Sequence, residues 1–201
     1  MEPLKPSSHY HIYNHANGND RLFKEAKNYR YFLERYEKFI SPIADTMVYC
    51  LMPNHFHLLI QIRNENEIAK AMEVKATFDA YSNSESLAEK EKVISLYLSK
   101  QFANLFSSYT QAFNKMYSRM GSLFMKNFKR KEVVDENYLK ELVLYIHSNP
   151  VKHNFVKQLD DWNYSSYKTF LTEETTFINR EEVIGLFGDV DTFKFCHLND
   201  L

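Results

Sequence analysis

The stretch that decides the fold is CLMPNHFHLLIQI, residues Cys50–Ile62. From His55 on, a run of β-forming residues is typical of a buried strand. Side chains alternate between the two faces of a strand, so His55 and His57 share one face and lie about 7 Å apart. Two imidazoles placed in this way supply two ligands of a divalent-metal site. The same pattern also fits a half-buried histidine pair that binds nothing, and a third partner must decide between the two.

Length and composition indicate one globular domain. The chain has 201 residues, of which 44% are hydrophobic and 25% are charged, values typical of a single full-sized domain. We expect one domain over 1–201, with a core of about 9–170, a polar insertion at about 76–92 and a tail at 171–201. Two distant cysteines make no disulfide framework, and there is no signal peptide or apolar run long enough to span a membrane. A cytoplasmic protein is therefore expected.

Charge is distributed unevenly along the chain. The net charge of −1 does not by itself indicate a nucleic-acid-binding protein. Between residues 100 and 131, however, there is no Asp or Glu, and the basic residues are Lys100, Lys115, Arg119, Lys126, Lys129, Arg130 and Lys131.

The first half of the chain predicts a strand over 9–15, a helix over 21–39 and a strand over 43–51, followed by the 55–62 strand. The tight connection before His55 makes the last two strands antiparallel. The first strand carries a rival histidine pair, His9 and His11, which we rank lower because it lies near the N-terminus and next to prolines.

The second half predicts a helical segment interrupted by the polar insertion, then a helix over 93–119. The broad aromatic stripe of that helix fits either the core or a dimer interface. A last strand over 122–134 and a helix from Asp135 to Pro150 follow, with Pro150 ending the helix. The order strand, helix, strand, strand, helix, strand favours an α+β, ferredoxin-like split βαβ fold with a central antiparallel sheet, followed by a further helix and a short tail.

The helix that begins at Asp135 could complete the histidine site. At 100° per residue, Tyr145 and Asn149 fall only about 40° apart, at one edge of its apolar stripe. His147 falls near the opposite side. From these residues alone, Tyr145 could equally be a tyrosine at the edge of the core, and Asn149 a helix cap.

Several motifs together resemble one protein family. Residues 51–59, LMPNHFHLL, resemble the HUH motif (His, bulky hydrophobic, His) of the single-tyrosine transposases. Residues 145–152, YIHSNPVK, resemble the nucleophile helix of the REP-associated branch. The likeness extends in the same order over about residues 9–170, with further matches at His11–Asn14, Gly121–Phe124 and Trp162–Tyr167.

The resemblance implies a role for each matched residue. His55 and His57 would be metal ligands, Tyr145 the nucleophile and Asn149 the third ligand, with Mg²⁺ or Mn²⁺ as the metal. The wider family often has Gln at the last position. Relatives also often have a Gly-Arg pair after the position of Phe124, where this chain has MKNF, so the DNA contacts of that loop are not carried over.

The resemblance also implies an activity, namely cleavage and rejoining of single-stranded DNA at hairpins through a 5′-phosphotyrosine. Rejoining of this kind needs no nucleotide cofactor, which agrees with the lack of a Gly-rich phosphate loop. The expected DNA-binding residues are basic, with Phe124 and Phe128 available to stack on bases; they are Lys115, Arg119, Lys126, Lys129, Arg130 and Lys131. Family members are monomers or homodimers.

Two other functions fit the same residues. One is a domesticated hairpin-DNA-binding protein without transposition activity. The other is an unrelated metal hydrolase built on His55 and His57, for which Tyr145 would be dispensable.

Overall fold

The sheet has four antiparallel strands. The structure is a computed structural model that describes residues 2–73 and 78–199. The spatial order of the strands is β2-β3-β1-β4, which is the arrangement of a ferredoxin-like split βαβ fold and confirms the predicted fold class. The strands are β1 (His9–His15), β2 (Ala44–Met52), β3 (His55–Ile62) and β4 (Lys129–Val133).

Helices cover both faces of this sheet. Phe56 points away from the histidine face, and its ring lies 5.4 Å from Phe32 and 5.8 Å from Phe106. None of the described helices is long and apolar enough to cross a membrane. The helices are α1 (Ala26–Phe39), α2 (Glu65–Glu73), α3 (Phe78–Ser82), α4 (Leu87–Met116), α5 (Glu136–Lys152), α6 (Arg180–Phe187) and α7 (Val190–Asn199).

Helix α4 begins earlier than the sequence analysis expected, at Leu87 rather than near residue 93. The cause is a capping box: the Ser86 hydroxyl accepts a hydrogen bond from the Glu89 N–H, and the Glu89 carboxylate accepts one from the Ser86 N–H. Much of the expected insertion at 76–92 is thus helical, while its residues 76 and 77 lie outside the described residues. Most of the stripe of α4 is core, since Phe102, Leu105, Tyr109 and Phe113 are buried within the chain, whereas Leu96 and Met116 near its ends are exposed.

The last strand is shorter than expected, because β4 covers only 129–133. Asn127 has a φ of +63°, a left-handed conformation that interrupts an extended chain. Residues 122–128 therefore form a loop. A backbone bridge between Phe124 and Ala16 holds this loop beside the end of β1.

The expectation that Pro150 ends its helix was wrong, since α5 continues to Lys152. Proline lacks an N–H and so removes one backbone hydrogen bond from a helix. Here the following turn forms nevertheless, because the His153 N–H bonds to the Asn149 carbonyl and the Phe155 N–H to the Pro150 carbonyl, both at 2.9 Å.

The segment expected to be a tail, 171–201, contributes two helices to the core. Val183 of α6 and Phe193 of α7 are fully buried. The Ile178 segment also bridges Thr46 on β2. The apolar residues here are separated by many charged ones, so their helical period is weak in the sequence.

Candidate metal and nucleophile site

A cleft of about 630 Å³ lies between α5 and one face of the sheet. Strand pairing builds it: Tyr13 lies opposite His57, and His15 opposite His55, so the side chains of β1 and β3 face α5 together. The residues that line the cleft are His11, Tyr13, His15, His55, His57, Lys131, Tyr138, Glu141, Leu142, Tyr145 and His153.

The two predicted histidine ligands both use Nδ1 within the protein. His55 Nδ1 donates to the Asn54 side-chain oxygen at 2.8 Å, and His57 Nδ1 lies 2.9 Å from Nε2 of His11. Their rings are perpendicular, with centroids 5.2 Å apart. The nitrogen left for a metal on each ring is therefore Nε2, and a bond at the other nitrogen is what usually orients a ligating histidine.

Burial keeps these histidines uncharged at neutral pH. It lowers the pKa of His55 to about 4 and that of His57 to about 2, and repulsion from neighbouring histidines adds to the effect. The pKa of His11 is lowered to about 4, first by burial and then by the charge of Lys131. A neutral imidazole is the form that binds a metal.

Tyr145 and Asn149 lie one turn apart on α5 but differ in exposure. Tyr145 is 42% exposed, and its ring lies 5.4 Å from that of His57. Asn149 is 1% exposed, and its Nδ2 donates to the Tyr145 carbonyl at 2.7 Å. Asn149 Oδ1 is buried without a hydrogen-bond donor among the described residues. The Asn149 side chain nevertheless lies close to His55. It raises the pKa of His55, although burial lowers that pKa by more.

The donors present fit a divalent metal when the amide oxygen is counted. Within residues 2–73 and 78–199, no group of three or more His, Cys, Asp or Glu side chains could hold a metal ion. The candidate set is therefore the Nε2 atoms of His55 and His57 with Oδ1 of Asn149, a buried oxygen that has no hydrogen-bond partner in the described part of the chain. Two imidazoles and an amide oxygen suit Mn²⁺ better than Mg²⁺.

The rival histidine pair on β1 does not form a unit. His9 Nε2 lies 3.1 Å from Oε1 of Glu182 on α6, whereas His11 contacts His57. His147 points away from the cleft, as expected, and bonds to Ser166 and His197 on the far side of α5.

Among the residues of the cleft that the sequence analysis missed, three are histidines: His11 as a partner of His57, and the exposed His15 and His153. The His15 ring stacks on His55 at 4.7 Å, and the His153 ring lies 5.5 Å from it. His153 could have been found, because it follows Asn149 by four residues and so extends the same helix face. His15 required the register of β1 against β3.

The basic stretch does not form one surface. Arg119 holds a loop together, because all five of its N–H groups bond to protein acceptors, on Asp20, Asn114, Gly121 and Ser122. We therefore remove Arg119 from the expected DNA-binding set. Lys115 is exposed at the end of α4.

The remaining basic residues separate across the sheet. Lys129 and Lys131 alternate with Arg130 along β4, and Lys131 lies at the cleft that contains Tyr145. Arg130 and Lys126 line a second cavity of about 690 Å³ instead. The guanidinium of Arg130 donates to Ser99 and lies 5.3 Å from the Phe128 ring centre.

The expectation that Phe124 stacks on bases was wrong, whereas the same expectation for Phe128 stays a prediction. Phe124 is 5% exposed and packs in the core beside Phe106. The Phe128 ring stacks on Phe102 at 4.9 Å and also carries the Arg130 guanidinium. Phe128 is nevertheless only half-buried, and its ring lines the second cavity.

Comparison with known proteins supports the family suggested by the motifs. No protein-family model matches the chain. A putative REP-associated tyrosine transposase of Haemophilus influenzae is 28% identical over 125 residues, which cover 61% of this chain and 58% of that protein. The chain thus spans somewhat more than half the length of this curated relative.

A solved structure has a fold similar to that of this chain. It is the structure of a REP-associated tyrosine transposase bound to a REP hairpin, and it matches 86% of this chain and 84% of its own with a TM-score of 0.60 at 14% identity. In its sequence motifs, in its curated relative and in its fold, the chain resembles the REP-associated tyrosine transposases.

Proposed function

We propose that this protein is a metal-dependent transposase that cleaves and rejoins single-stranded DNA at hairpin sequences through Tyr145. The observation that carries the proposal is the meeting of three features in one cleft: an exposed tyrosine, two histidines whose Nδ1 atoms are held by other side chains, and a buried amide oxygen without a donor among the described residues. The relative and the solved structure, which are REP-associated tyrosine transposases, support it.

Tyr145 is the nucleophile in this proposal. Its phenol oxygen attacks the phosphorus of the scissile phosphodiester and loses its proton. The bond from phosphorus to the 3′-oxygen breaks, and that oxygen takes up a proton to leave a free 3′-hydroxyl. The DNA on the 3′ side of the cut remains attached as a 5′-phosphotyrosine. The reverse reaction with a 3′-hydroxyl rejoins strands, so no nucleotide cofactor is required.

His55, His57 and Asn149 would hold Mg²⁺ or Mn²⁺. When bound, the metal polarises the scissile phosphate and lowers the charge that develops on it. The protein contributes the positions of the groups: β3 is rigid and central in the sheet, and α5 packs across it with Asn149 inward and Tyr145 at the cleft. Lys131, at the same cleft, supplies a positive charge for the DNA backbone.

The site is complete within one chain. Tyr145 and His57 come from α5 and β3 of the same molecule, with ring centroids 5.4 Å apart. The aromatic stripe of α4, which a homodimer could have used, is buried in the chain's own core. We therefore propose that a single chain cleaves DNA and that a homodimer is not needed for the chemistry.

The test uses single-stranded hairpin oligonucleotides taken from the DNA that flanks the gene, labelled at the 5′ or the 3′ end. Each oligonucleotide is incubated with one form of the protein: wild type, Tyr145→Phe or Tyr138→Phe. The reaction contains Mn²⁺ or Mg²⁺, and the products are separated on a denaturing protein gel. Tyr138→Phe is a matched control, because Tyr138 lines the same cleft from the same helix.

A metal-dependent adduct that carries only the label 3′ of the cut, and that is lost in Tyr145→Phe alone, is the expected result. An adduct that persists in Tyr145→Phe would overturn the assignment of the nucleophile. Tight hairpin binding without any adduct would favour a domesticated DNA-binding protein. Hydrolysis that needs His55 and His57 but not Tyr145 would favour a metal hydrolase.

A further inference from the structure

We propose that His11 is a positioning residue, which holds the ring of His57 and fixes the tautomer in which His57 can bind a metal. This proposal rests on the metal site of the proposed function. The sequence offered His11 only as half of a rival ligand pair, and the structure gives it a different use.

The two rings meet through a single contact. His11 lies on β1 opposite Leu59, two residues along β3 from His57. The distance from His11 Nε2 to His57 Nδ1 is 2.9 Å, within hydrogen-bonding range. The ring planes differ by 26°, and His11 is only 7% exposed. A buried contact of this kind restricts the rotation of both rings.

The contact can form with either of two tautomers, and only one permits metal binding. If His11 Nε2–H donates to His57 Nδ1, the neutral His57 carries its proton on Nε2, towards the cleft, and cannot ligate. If His57 Nδ1–H donates to His11 Nε2, the His57 Nε2 lone pair is free. A site made of His55 and His57 therefore requires His11 as an acceptor.

The surroundings of His11 make it suited to this role. Its ring centroid lies 4.8 Å from that of Tyr13 and 6.2 Å from that of Tyr145, so His11 is close to the proposed nucleophile as well as to the proposed ligand. Lys131 lies opposite His11 in the pairing of β1 with β4. The Nε2 atom of His11 is directed at His57, which leaves His11 unsuited to being the third ligand itself.

Two substitutions separate the hydrogen bond from packing. His11→Phe keeps an aromatic ring and removes the acceptor. His11→Gln can place an amide oxygen near the position of Nε2 and so restores the acceptor. His9→Phe is the matched control, because His9 lies on the same strand and face but pairs with Glu182.

The first measurement is the tautomer of His57, read from ring ¹⁵N shifts and long-range ¹H–¹⁵N correlations of the metal-free protein. The second is the affinity for Mn²⁺, read by electron paramagnetic resonance without DNA. We expect His57 protonated on Nδ1 in wild type, His11→Gln and His9→Phe, and protonated largely on Nε2 in His11→Phe. Loss of a partner of this type typically lowers metal affinity by about 10–100-fold, and we expect this loss in His11→Phe with recovery in His11→Gln.

The proposal is overturned if wild-type His57 carries its proton on Nε2, or if His11→Phe changes neither the tautomer nor the Mn²⁺ affinity. It is also overturned if His11→Gln loses as much Mn²⁺ affinity as His11→Phe, because packing would then explain the effect. His55→Ala tests the metal site independently. If it binds Mn²⁺ as wild type does, the metal site of the proposed function fails, whereas the His57 tautomer still reports on His11.

Discussion

The carbonyl oxygen of Tyr145 accepts a hydrogen bond from the Asn149 side chain at 2.7 Å. A carbonyl oxygen can only accept, so the atom facing it must be the amide nitrogen of Asn149. The amide oxygen is thereby turned away from that carbonyl, and it has no hydrogen-bond donor among the described residues. The helix that carries the proposed nucleophile therefore also fixes the orientation of the proposed third ligand.

Asn149→Leu should separate stability from function. A buried polar group without a partner costs about 1–3 kcal/mol, and the substitution removes it together with one hydrogen bond. We therefore expect the free energy of unfolding of the metal-free protein, measured in urea, to stay within about 1 kcal/mol of wild type. Mn²⁺ affinity should fall by at least about tenfold.

The control is Asn14→Leu, since Asn14 is equally buried but both of its side-chain groups are bonded, to Met125 and His15. This variant should lose about 1–3 kcal/mol of stability. Equal losses of stability in the two variants would argue that Asn149 is only structural.

A second prediction concerns whether two chains cooperate. His57→Ala lacks a proposed ligand and Tyr145→Phe lacks the proposed nucleophile, so each alone should form no covalent adduct with DNA. A mixture of the two should remain inactive, because both groups come from one chain in the cleft. Adduct formation in the mixture, measured on a denaturing gel, would show that the site is assembled between chains.

The third prediction is a loss of stability in mild acid. Burial lowers the pKa of His11 and His55 to about 4 from an ordinary value of 6.5. Between these values the unfolded chain binds more protons than the folded one, so stability falls as the pH drops from about 6.5 towards 4. The slope is at most about 1.4 kcal/mol per pH unit for each histidine.

Thermal melting of the metal-free protein across this pH range measures the effect. The melting temperature should fall with the pH, and less steeply in His11→Gln, which removes one of the buried titrating groups. A melting temperature that rises on acidification, or an unchanged slope in that variant, would contradict the assignment.

Much of this architecture follows from the sequence, because the relevant signals are local. Alternation in β3 places His55 and His57 together, and helical period places Tyr145 beside Asn149. Two kinds of feature could not be predicted from the sequence. They are contacts that depend on the register between distant strands, and the hydrogen-bond partners of individual side chains. The contact between His11 and His57 requires β1 and β3 to pair in one register. Likewise, the five hydrogen bonds of Arg119 depend on how Asp20 and Asn114 pack beside the Gly121–Ser122 turn, so its charge alone suggested DNA binding.

The basic residues give the fourth prediction. Lys129 and Lys131 are exposed on β4, and Lys131 lies at the cleft. Replacing either by Ala should weaken binding to single-stranded hairpin DNA. It should also reduce the slope of log K against log salt by about 0.7 for each phosphate that the lysine neutralises in the wild-type complex.

Arg119→Ala is the comparison for this measurement, because its guanidinium bonds only to protein in the described residues. That variant should lower the melting temperature and leave the salt slope unchanged. A reduced salt slope in Arg119→Ala would restore Arg119 to the DNA-binding set.

The last prediction concerns the far side of α5, where a buried chain of hydrogen bonds joins α5 to α7. The Phe193 carbonyl can only accept, so His197 Nδ1 carries a proton and donates to it at 2.8 Å. His197 Nε2 then accepts from His147 Nδ1 at 2.9 Å, and His147 Nε2 accepts from the Ser166 hydroxyl at 2.8 Å.

His197→Leu would leave the buried N–H of His147 without its acceptor, at a cost of about 1–3 kcal/mol in urea unfolding. The adjacent Leu198→Ala, at a side chain 67% exposed, should stay within about 0.5 kcal/mol. Equal effects at the two positions would mean that α7 is not held to α5 through His147.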